Sequence, residues 1–184
     1  MNFIASHLEG CFCLEPKIFD DKRGYFMESF NEKTFAENTG QHIHFVQDNQ
    51  SFSSKGVLRG LHYQVGEHAQ SKLIRVLSGE ILDVAVDLRH GSETYGQHVT
   101  IVLSSENQKQ FFVPRGFAHG FLVLSETATI FYKCDNFYKK ESEGGIIYND
   151  PTLNIDWQFP ESDLIISDQD CMLPNLENSR DPWS

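Results

Sequence analysis

The sequence is poor in basic residues and in cysteine, and none of its apolar runs is long. Its 15 Lys and Arg residues stand against 26 Asp and Glu residues, which gives a net charge of -11. Because nucleic acids and anionic membranes attract broad basic surfaces, this balance argues against both as partners. Apolar runs such as 101–103 and 111–113 are also far shorter than the roughly 20 residues of a membrane-spanning helix.

The four cysteines are too sparse for a disulfide-stapled secreted domain, and we interpret all of them as free thiols. Cys11 and Cys13 have a spacing that suits either a metal pair or two small side chains on one strand face. His42 and His44 also alternate on an expected strand, but no nearby carboxylate or cysteine completes a metal site. No targeting segment is recognisable, so the sequence predicts a cytoplasmic protein.

Short alternating segments dominate the middle of the chain. Residues 1–184 fit one domain that is long enough to bury a core without covalent staples. Apolar and polar positions alternate with a period of two in 71–87, and the turn at 78–80 predicts that the two strands form a hairpin. Further short runs are separated by turn-forming residues at 104–107 and 114–116. This spacing predicts an all-β sandwich or barrel.

One short helix is predicted early in the chain. Asn31 is a suitable N-cap, residues 32–37 form the body, and Gly40 is a suitable stop signal. We expect this helix at the periphery. The irregular residues after Tyr148 are apolar enough to pack back onto the sheets, and no linker or repeat argues for a second domain.

Two segments indicate the kind of barrel. Residues 114–120 read PRGFAHG and resemble the second signature of the cupin superfamily, whose fold is a jelly-roll barrel. Metal-binding cupins pair this signature with an earlier His-x-His segment, but residues 58–64 read LRGLHYQ here. Gln64 therefore replaces the second imidazole, and a carboxamide is a poorer transition-metal ligand. The sequence predicts a barrel without a metal site, in which His62 acts as a base.

A larger set of segments resembles the dTDP-4-dehydrorhamnose 3,5-epimerases of the rhamnose pathway. The matching segments run in order from about Leu14 to Asp170, and together they are highly specific. They are FDDKRGYF (19–26), FVQDN (45–49), VLRGLHYQ (57–64), GE (79–80), DVAVD (83–87), GFAHGF (116–121), FYK (131–133) and SEG (142–144). The resemblance implies an all-β, cupin-type jelly-roll barrel with a few short peripheral helices.

The implied reaction explains the types of residue that the site needs. The family inverts C3 and C5 of dTDP-4-keto-6-deoxyglucose to give dTDP-4-keto-rhamnose, with no metal and no cofactor. A hydrogen beside a ketone is weakly acidic, so its removal needs a base and a group that stabilises the enolate oxygen. Inversion also requires that the proton return on the opposite face. The base and the acid must therefore flank the sugar ring.

The resemblance implies a role for each of four catalytic candidates. His62 is the base and Tyr132 is the acid on the other face, since imidazole accepts a proton near neutral pH and a phenol can donate one. Asp170 is the carboxylate partner that fixes the tautomer of His62. Lys72 stabilises the enolate, because an ammonium favours the enolate over the neutral ketone.

Each of these residues also has an ordinary structural interpretation. His62 alone would suit a core histidine bonded to a backbone carbonyl, and Tyr132 would suit simple packing on an apolar strand. Lys72 would suit a sheet lysine with its ammonium in water. Asp170 would suit a solvated acidic turn, in which case Asp83 is another candidate partner of His62.

The resemblance further implies a set of substrate-binding residues. Arg23 and Arg59 match the contacts to the diphosphate, for which a guanidinium fork is well suited. Polar positions that hold the thymidine or the sugar, the base-stacking aromatic and a further site histidine are matched by Glu28, Gln47, Asn49, Glu143, Tyr138 and His119. Gln169 departs from the family, which commonly has Lys there. Some nucleotide contacts in the family come from a second subunit, which implies a homodimer.

Other functions remain open from the sequence. A single-centre epimerase or a ketoisomerase acting on a related dTDP-keto sugar would need the same proton abstraction. A non-catalytic sugar-nucleotide-binding cupin would have lost the base or the acid, yet His62 and Tyr132 are both present. A metal-dependent cupin oxygenase is disfavoured by Gln64.

Overall fold

The computed structural model describes residues 1–184 and contains thirteen β-strands and two α-helices. In chain order the strands are β1 (Asn2–Ala5), β2 (Phe12–Glu15), β3 (Ile18–Asp21), β4 (Gly24–Met27), β5 (Gln47–Ser54), β6 (Leu58–Gln64), β7 (Lys72–Ser78), β8 (Glu80–Asp87), β9 (His98–Ser104), β10 (Gln110–Val113), β11 (Phe117–Val123), β12 (Thr127–Cys134) and β13 (Glu143–Gly145). The helices are α1 (Glu32–Thr39) and α2 (Asp168–Cys171).

Two antiparallel sheets form the barrel. The six-stranded sheet has the order β1-β2-β10-β7-β12-β5, the five-stranded sheet has the order β13-β6-β11-β8-β9, and β3 and β4 form a separate hairpin. Buried side chains from both sheets meet in one apolar cluster, for example Ile74 from β7, Ile81 from β8 and Ile130 from β12. Two antiparallel sheets packed over a shared core are the architecture of a double-sheet jelly roll. The predicted all-β, cupin-type fold is confirmed.

The strands predicted in 71–87 exist, but the prediction that they form a hairpin is wrong. Strand β7 lies between β10 and β12 in one sheet, whereas β8 lies between β11 and β9 in the other. The corner between them is Gly79, whose φ of +81° is accessible to glycine. A Cβ there would lie 2.1 Å from the carbonyl oxygen of Thr127. A tight turn between two alternating segments has the same sequence pattern whether the two strands pair with each other or enter different sheets.

The early helix is confirmed, together with both of its caps. The side chain of Asn31 accepts a hydrogen bond from the Thr34 amide at 3.0 Å, and Gly40 ends the helix with a φ of +71°. Its buried side chain, Phe35, packs edge-on against Phe112 with ring centroids 4.9 Å apart. Neither helix has the length and apolar character that crossing a bilayer requires.

Two expectations about cysteine and histidine had different outcomes. All four cysteines are free thiols, as predicted, and Cys11 is buried in the core cluster. The prediction of a strand around His42 and His44 is wrong, because residues 41–46 have no regular structure and β5 begins only at Gln47. Two alternating histidines are too short a pattern to define a strand.

Candidate active site

Two adjoining cavities contain most of the candidate residues. The His119 cavity has a volume of about 680 Å³ and the Tyr138 cavity about 610 Å³. The residues that line both of them are His62, Lys72, Tyr132, Glu143 and Gln169. Every candidate except Arg23 and Glu28 lines at least one of the two cavities. These candidates, which are scattered along the chain, therefore surround one pair of adjoining cavities.

A break in strand β6 turns Arg59 and His62 towards the same cavity. Residues three apart on a regular strand point to opposite faces, but the pairing of β6 with β11 shifts register between His119 and Phe121. Gly60 lies at this shift with a φ of +122°, and a Cβ on it would lie 2.6 Å from the Cα of Gly120. The glycine in the LRGLH segment thus allows the cation and the imidazole to share one wall.

The predicted partnership of His62 with Asp170 has close geometry. His62 Nε2 lies 2.7 Å from Asp170 Oδ1, and the other carboxylate oxygen accepts the Gly60 amide at 3.2 Å. Asp170 is held in α2, which Ser167 caps with its side-chain oxygen. Burial raises the pKa of Asp170, but the hydrogen bonds from His62 and Gly60 outweigh it and the pKa lies below its usual value. The carboxylate is therefore ionised and holds the hydrogen on Nε2, which leaves Nδ1 as the basic nitrogen of His62.

Asp83, the alternative partner of His62, contacts a different histidine. Its Oδ1 lies 2.8 Å from Nε2 of His119. Both side chains are buried, and His119 lies in the middle of β11. The site therefore contains two histidine–carboxylate pairs. The pair of His62 with Asp170 was predicted through the resemblance, whereas the pair of His119 with Asp83 was not.

Tyr132 and Lys72 reach the site from the sheet opposite His62. Strands β12 and β7 are neighbours in the six-stranded sheet, whereas β6 belongs to the five-stranded sheet. Ile74 and Val76 lie in the core between the sheets, so the period-two rule turns Lys72 inwards as well. Tyr132 packs against the same core. Neither residue is a solvent-facing surface group.

Burial perturbs the titration of both groups. It raises the pKa of the Tyr132 phenol, with a further increase from Cys134, while Arg59 acts in the opposite direction. Burial lowers the pKa of Lys72, whereas negative charge at Cys134 and Asp83 would raise it. At neutral pH the phenol of Tyr132 is therefore protonated and can act as an acid.

A hydrogen-bonded chain of polar groups lines the Tyr138 cavity. The Tyr138 hydroxyl donates to Glu143 Oε1 at 2.8 Å, and the Tyr138 amide donates to Gln47 Oε1 at 3.1 Å. Gln47 Nε2 in turn donates to Asn49 Oδ1 at 3.1 Å. Tyr138 is 51% exposed, which leaves its ring available for stacking. These four residues form a surface that suits a planar base and a sugar.

Gln64 has a structural task in this site. It is 6% exposed, and its carbonyl oxygen accepts a hydrogen bond from the Lys139 amide at 2.8 Å. This bond fixes the segment that carries Tyr138 and Glu143. The carboxamide oxygen, which occupies the ligand position of metal-binding cupins, is therefore already engaged. No group of three or more His, Cys, Asp or Glu side chains is arranged to hold a metal ion.

Two cations at the Tyr138 cavity were missed in the sequence. They are Lys140 and Arg180. Arg180 Nη1 donates to the carbonyls of Glu141 and Glu143 at 3.0 and 2.8 Å, so the C-terminal segment reaches back to the site. Lys140 sits in a short polar run and Arg180 in an irregular tail, and neither position carries a recognisable motif.

Arg23 and Glu28 lie outside both cavities. Arg23 belongs to the turn of the β3–β4 hairpin, where its side chain is 83% exposed and pairs with Asp21. Glu28 follows the hairpin and accepts a hydrogen bond from Asn31 at 3.2 Å. Exposed aromatic side chains cover the same hairpin, namely Phe19, Tyr25 and Phe26.

Comparison with known proteins gives consistent matches. A family model described as dTDP-4-dehydrorhamnose 3,5-epimerase matches residues 5–178. The crystal structure of the dTDP-4-dehydrorhamnose 3,5-epimerase from Elizabethkingia anophelis is 57% identical, with a TM-score of 0.94 and 97% of each chain covered. The dTDP-6-deoxy-D-glucose-3,5-epimerase from Legionella pneumophila, solved with dTDP-4-keto-L-rhamnose, is 50% identical, with a TM-score of 0.92, 96% of this chain covered and 93% of that chain.

A more distant match carries a related activity. ChmJ from Streptomyces bikiniensis, a 3'-monoepimerase solved with dTDP-quinovose, is 32% identical, with a TM-score of 0.86, 94% of this chain covered and 86% of that chain. One fold thus serves epimerases that act on different numbers of centres. The family model spans nearly the whole chain, and the 3,5-epimerases share the higher identity. The chain belongs to the dTDP-4-dehydrorhamnose 3,5-epimerase family.

Proposed function

We propose that this chain is an isomerase that inverts both C3 and C5 of dTDP-4-keto-6-deoxyglucose, without a metal or an organic cofactor, and releases dTDP-4-keto-rhamnose. One observation carries the proposal. A histidine–carboxylate pair and a protonated tyrosine reach one cavity from opposite sheets. Inversion requires a base on one face of the ring and an acid on the other, and this arrangement supplies both.

Proton removal is the task of His62. Its Nδ1 takes the hydrogen from the carbon beside the ketone, and the electrons of that C–H bond form the double bond of an enolate. The developing imidazolium is stabilised by Asp170, which is already bonded to Nε2. The ammonium of Lys72 stabilises the negative oxygen of the enolate.

Proton return is the task of Tyr132. The phenol donates its hydrogen to the face of the carbon opposite His62, which inverts the centre. The tyrosinate then regains a proton from solvent while His62 releases one, so both groups return to their starting states. The same cycle at the second carbon completes the reaction, because both carbons lie beside one ketone.

The nucleotide is held by the other residues of the two cavities. Arg59 lines the His119 cavity and binds the diphosphate, while Tyr138 stacks on the thymine with polar support from Gln47, Asn49 and Glu143. His119 contacts the sugar from the wall beside His62. Gln169 places a neutral side chain where the family commonly has Lys. Lys140 and Arg180 supply positive charge at the same cavity.

The reaction is tested by incubating the protein with dTDP-4-keto-6-deoxyglucose in heavy water that contains EDTA, and by following each ring carbon by NMR. We expect deuterium and inversion at both C3 and C5, unaffected by the chelator. Deuterium at one carbon would identify a single-centre epimerase. No exchange at either carbon would leave the non-catalytic binding protein as the answer, and EDTA inactivation that one specific metal reverses would overturn the metal-free mechanism.

We also propose that the chain works as a homodimer in which the β3–β4 hairpin of one subunit reaches the cavities of the other. Arg23 lines neither cavity of its own chain, and the exposure of several aromatic side chains on the hairpin to water is energetically unfavourable. Arg23 and Glu28 would then act on the nucleotide bound by the partner.

Four free thiols support a location in a reducing compartment, which we propose is the cytoplasm.

Mixed dimers test this exchange. R23A and H62A homodimers should each be weak at low substrate concentration, because one lacks a diphosphate contact and the other lacks the base. In a co-expressed heterodimer, the R23A subunit keeps His62 and receives Arg23 from the H62A subunit. The cavities of the R23A subunit are then complete, so activity should reappear. If Arg23 served its own chain, every site in the heterodimer would be damaged and no activity would return. A monomeric mass in sedimentation would also refute the proposal.

A further inference from the structure

The proposed reaction uses the His62–Asp170 pair as the base and gives His119 a contact to the sugar, but Asp83, the partner of His119, has no task in it. His62 and His119 are cross-strand partners on β6 and β11, so their side chains are neighbours. Each imidazole bonds through Nε2 to a carboxylate, at 2.7 Å for Asp170 and 2.8 Å for Asp83. His119 lines the cavity, whereas Asp83 does not line it and lies behind the histidine.

The burial of Asp83 in this position lowers the stability of the fold. It is 0% exposed in the middle of β8, and the alternation of that strand puts it on the same side as Ile81 and Ala85, which lie in the apolar core between the sheets. Its Oδ2 has no hydrogen-bond partner. An unpaired buried carboxylate oxygen destabilises a fold, and such groups in native proteins call for a functional explanation.

The electrostatic surroundings provide that explanation. Lys72 forms no ion pair within the chain, although burial lowers its pKa. The titratable groups that face it across the barrel or from neighbouring strands are Tyr132, Cys134, Asp83, His62, His119, Glu143 and the Asp170 carboxylate behind His62. Negative charge at Cys134 and Asp83 would raise the pKa of Lys72, but burial raises the pKa of Cys134 itself and keeps that thiol neutral. That leaves the Asp83 carboxyl group as the neighbour that favours the ammonium form of Lys72.

We propose that Asp83 is a positioning residue, which acts through two groups that face the substrate. It holds the hydrogen of His119 on Nε2, so that Nδ1 is the nitrogen available to the sugar. Its negative charge also favours the ammonium form of Lys72, the form that stabilises an enolate. This inference rests on the proposed function, because it assigns Asp83 to the same reaction.

The pH dependence of D83N tests the proposal. Without the carboxylate, Lys72 should lose its proton at lower pH, so the alkaline limb of kcat should move down by on the order of one pH unit. On that limb kcat should fall about tenfold, while KM changes less and activity recovers partly at lower pH. D83E, which restores the charge, should return the limb towards its original position.

The matched control is D87N, the same substitution at a buried aspartate of the same strand. Asp87 bonds to Arg89, Ser92 and Thr94 and does not line the cavities. It should lower stability without moving the alkaline limb. A D83N profile that is scaled down evenly, as a structural defect would do, overturns the proposal. If the unmodified protein gives no epimerisation, the proposed function fails first, so the two failures are distinguishable.

A measurement on the unmodified chain covers the case in which D83N does not fold. Nitrogen-15 NMR of labelled histidine and lysine should show the Nε2–H tautomer of His119 and a protonated Lys72 at pH 8. An Nδ1–H tautomer or a neutral Lys72 amine would contradict the proposal.

Discussion

Replacing His62 with alanine should reduce deuterium exchange at C3 and C5 by on the order of 100- to 10,000-fold, the usual loss when a general base is removed. The reason is geometric. Nδ1 of His62 is the basic nitrogen of the pair with Asp170, and the ring reaches both cavities with a side chain that is 43% exposed. The measurement is the rate at which deuterium from heavy water enters C3 and C5, followed by NMR for the variant and for the unmodified protein.

A remote histidine provides the control for this substitution. His42 lies on the surface in the irregular segment before β5, and H42A should exchange deuterium at the unmodified rate. Binding should survive in H62A, because Arg59 and Tyr138 are untouched, so isothermal titration with dTDP should give a similar affinity. Exchange that persists in H62A with dTDP binding intact would mean that another group removes the proton. The neighbouring His119 would then be the first candidate.

The period-two pattern predicted the strands but not the sheets to which they belong. Alternation along 71–87 identified β7 and β8, and the turn between them was taken for a hairpin. The turn is a corner between sheets, because Gly79 makes room for the carbonyl of Thr127. That contact is 48 residues away in the sequence. Local patterns report local geometry, whereas sheet order depends on distant pairings.

The resemblance supplied the candidate residues and the pair of His62 with Asp170, but not the other contacts between the side chains of the site. The break in β6 lets Arg59 and His62 share a wall, although strict alternation would have separated them. The pairing of His119 with Asp83 joins β11 to β8, and no local pattern indicated it. Arg180 approaches from the C-terminal segment with no motif to reveal it. Such contacts come from the closure of the barrel, which a linear pattern does not encode.

Replacing Tyr132 with phenylalanine should separate inversion from exchange. The change removes one hydroxyl and keeps the ring that packs against the core. His62 would still take a proton and return it on its own face, so deuterium should enter the sugar without a change of configuration. Inversion should fall by on the order of 100-fold or more, the size expected when a general acid is lost. NMR coupling constants report configuration, and the loss of the carbon-bound proton signal reports exchange.

The acid and the base of the proposed reaction come from different sheets. Tyr132 comes from β12 in the six-stranded sheet and His62 from β6 in the five-stranded sheet, so the two side chains approach the cavity from opposite walls. Y148F is the matched control, because Tyr148 loses a hydroxyl that bonds Glu161 outside both cavities. It should leave both readouts unchanged. If Y132F reduced exchange and inversion equally, the phenol would be needed for proton removal itself, and the assignment of acid and base to opposite walls would be wrong. Burial raises the pKa of Tyr132, so loss of the phenol proton should not be what limits inversion below the ordinary phenol value near 10.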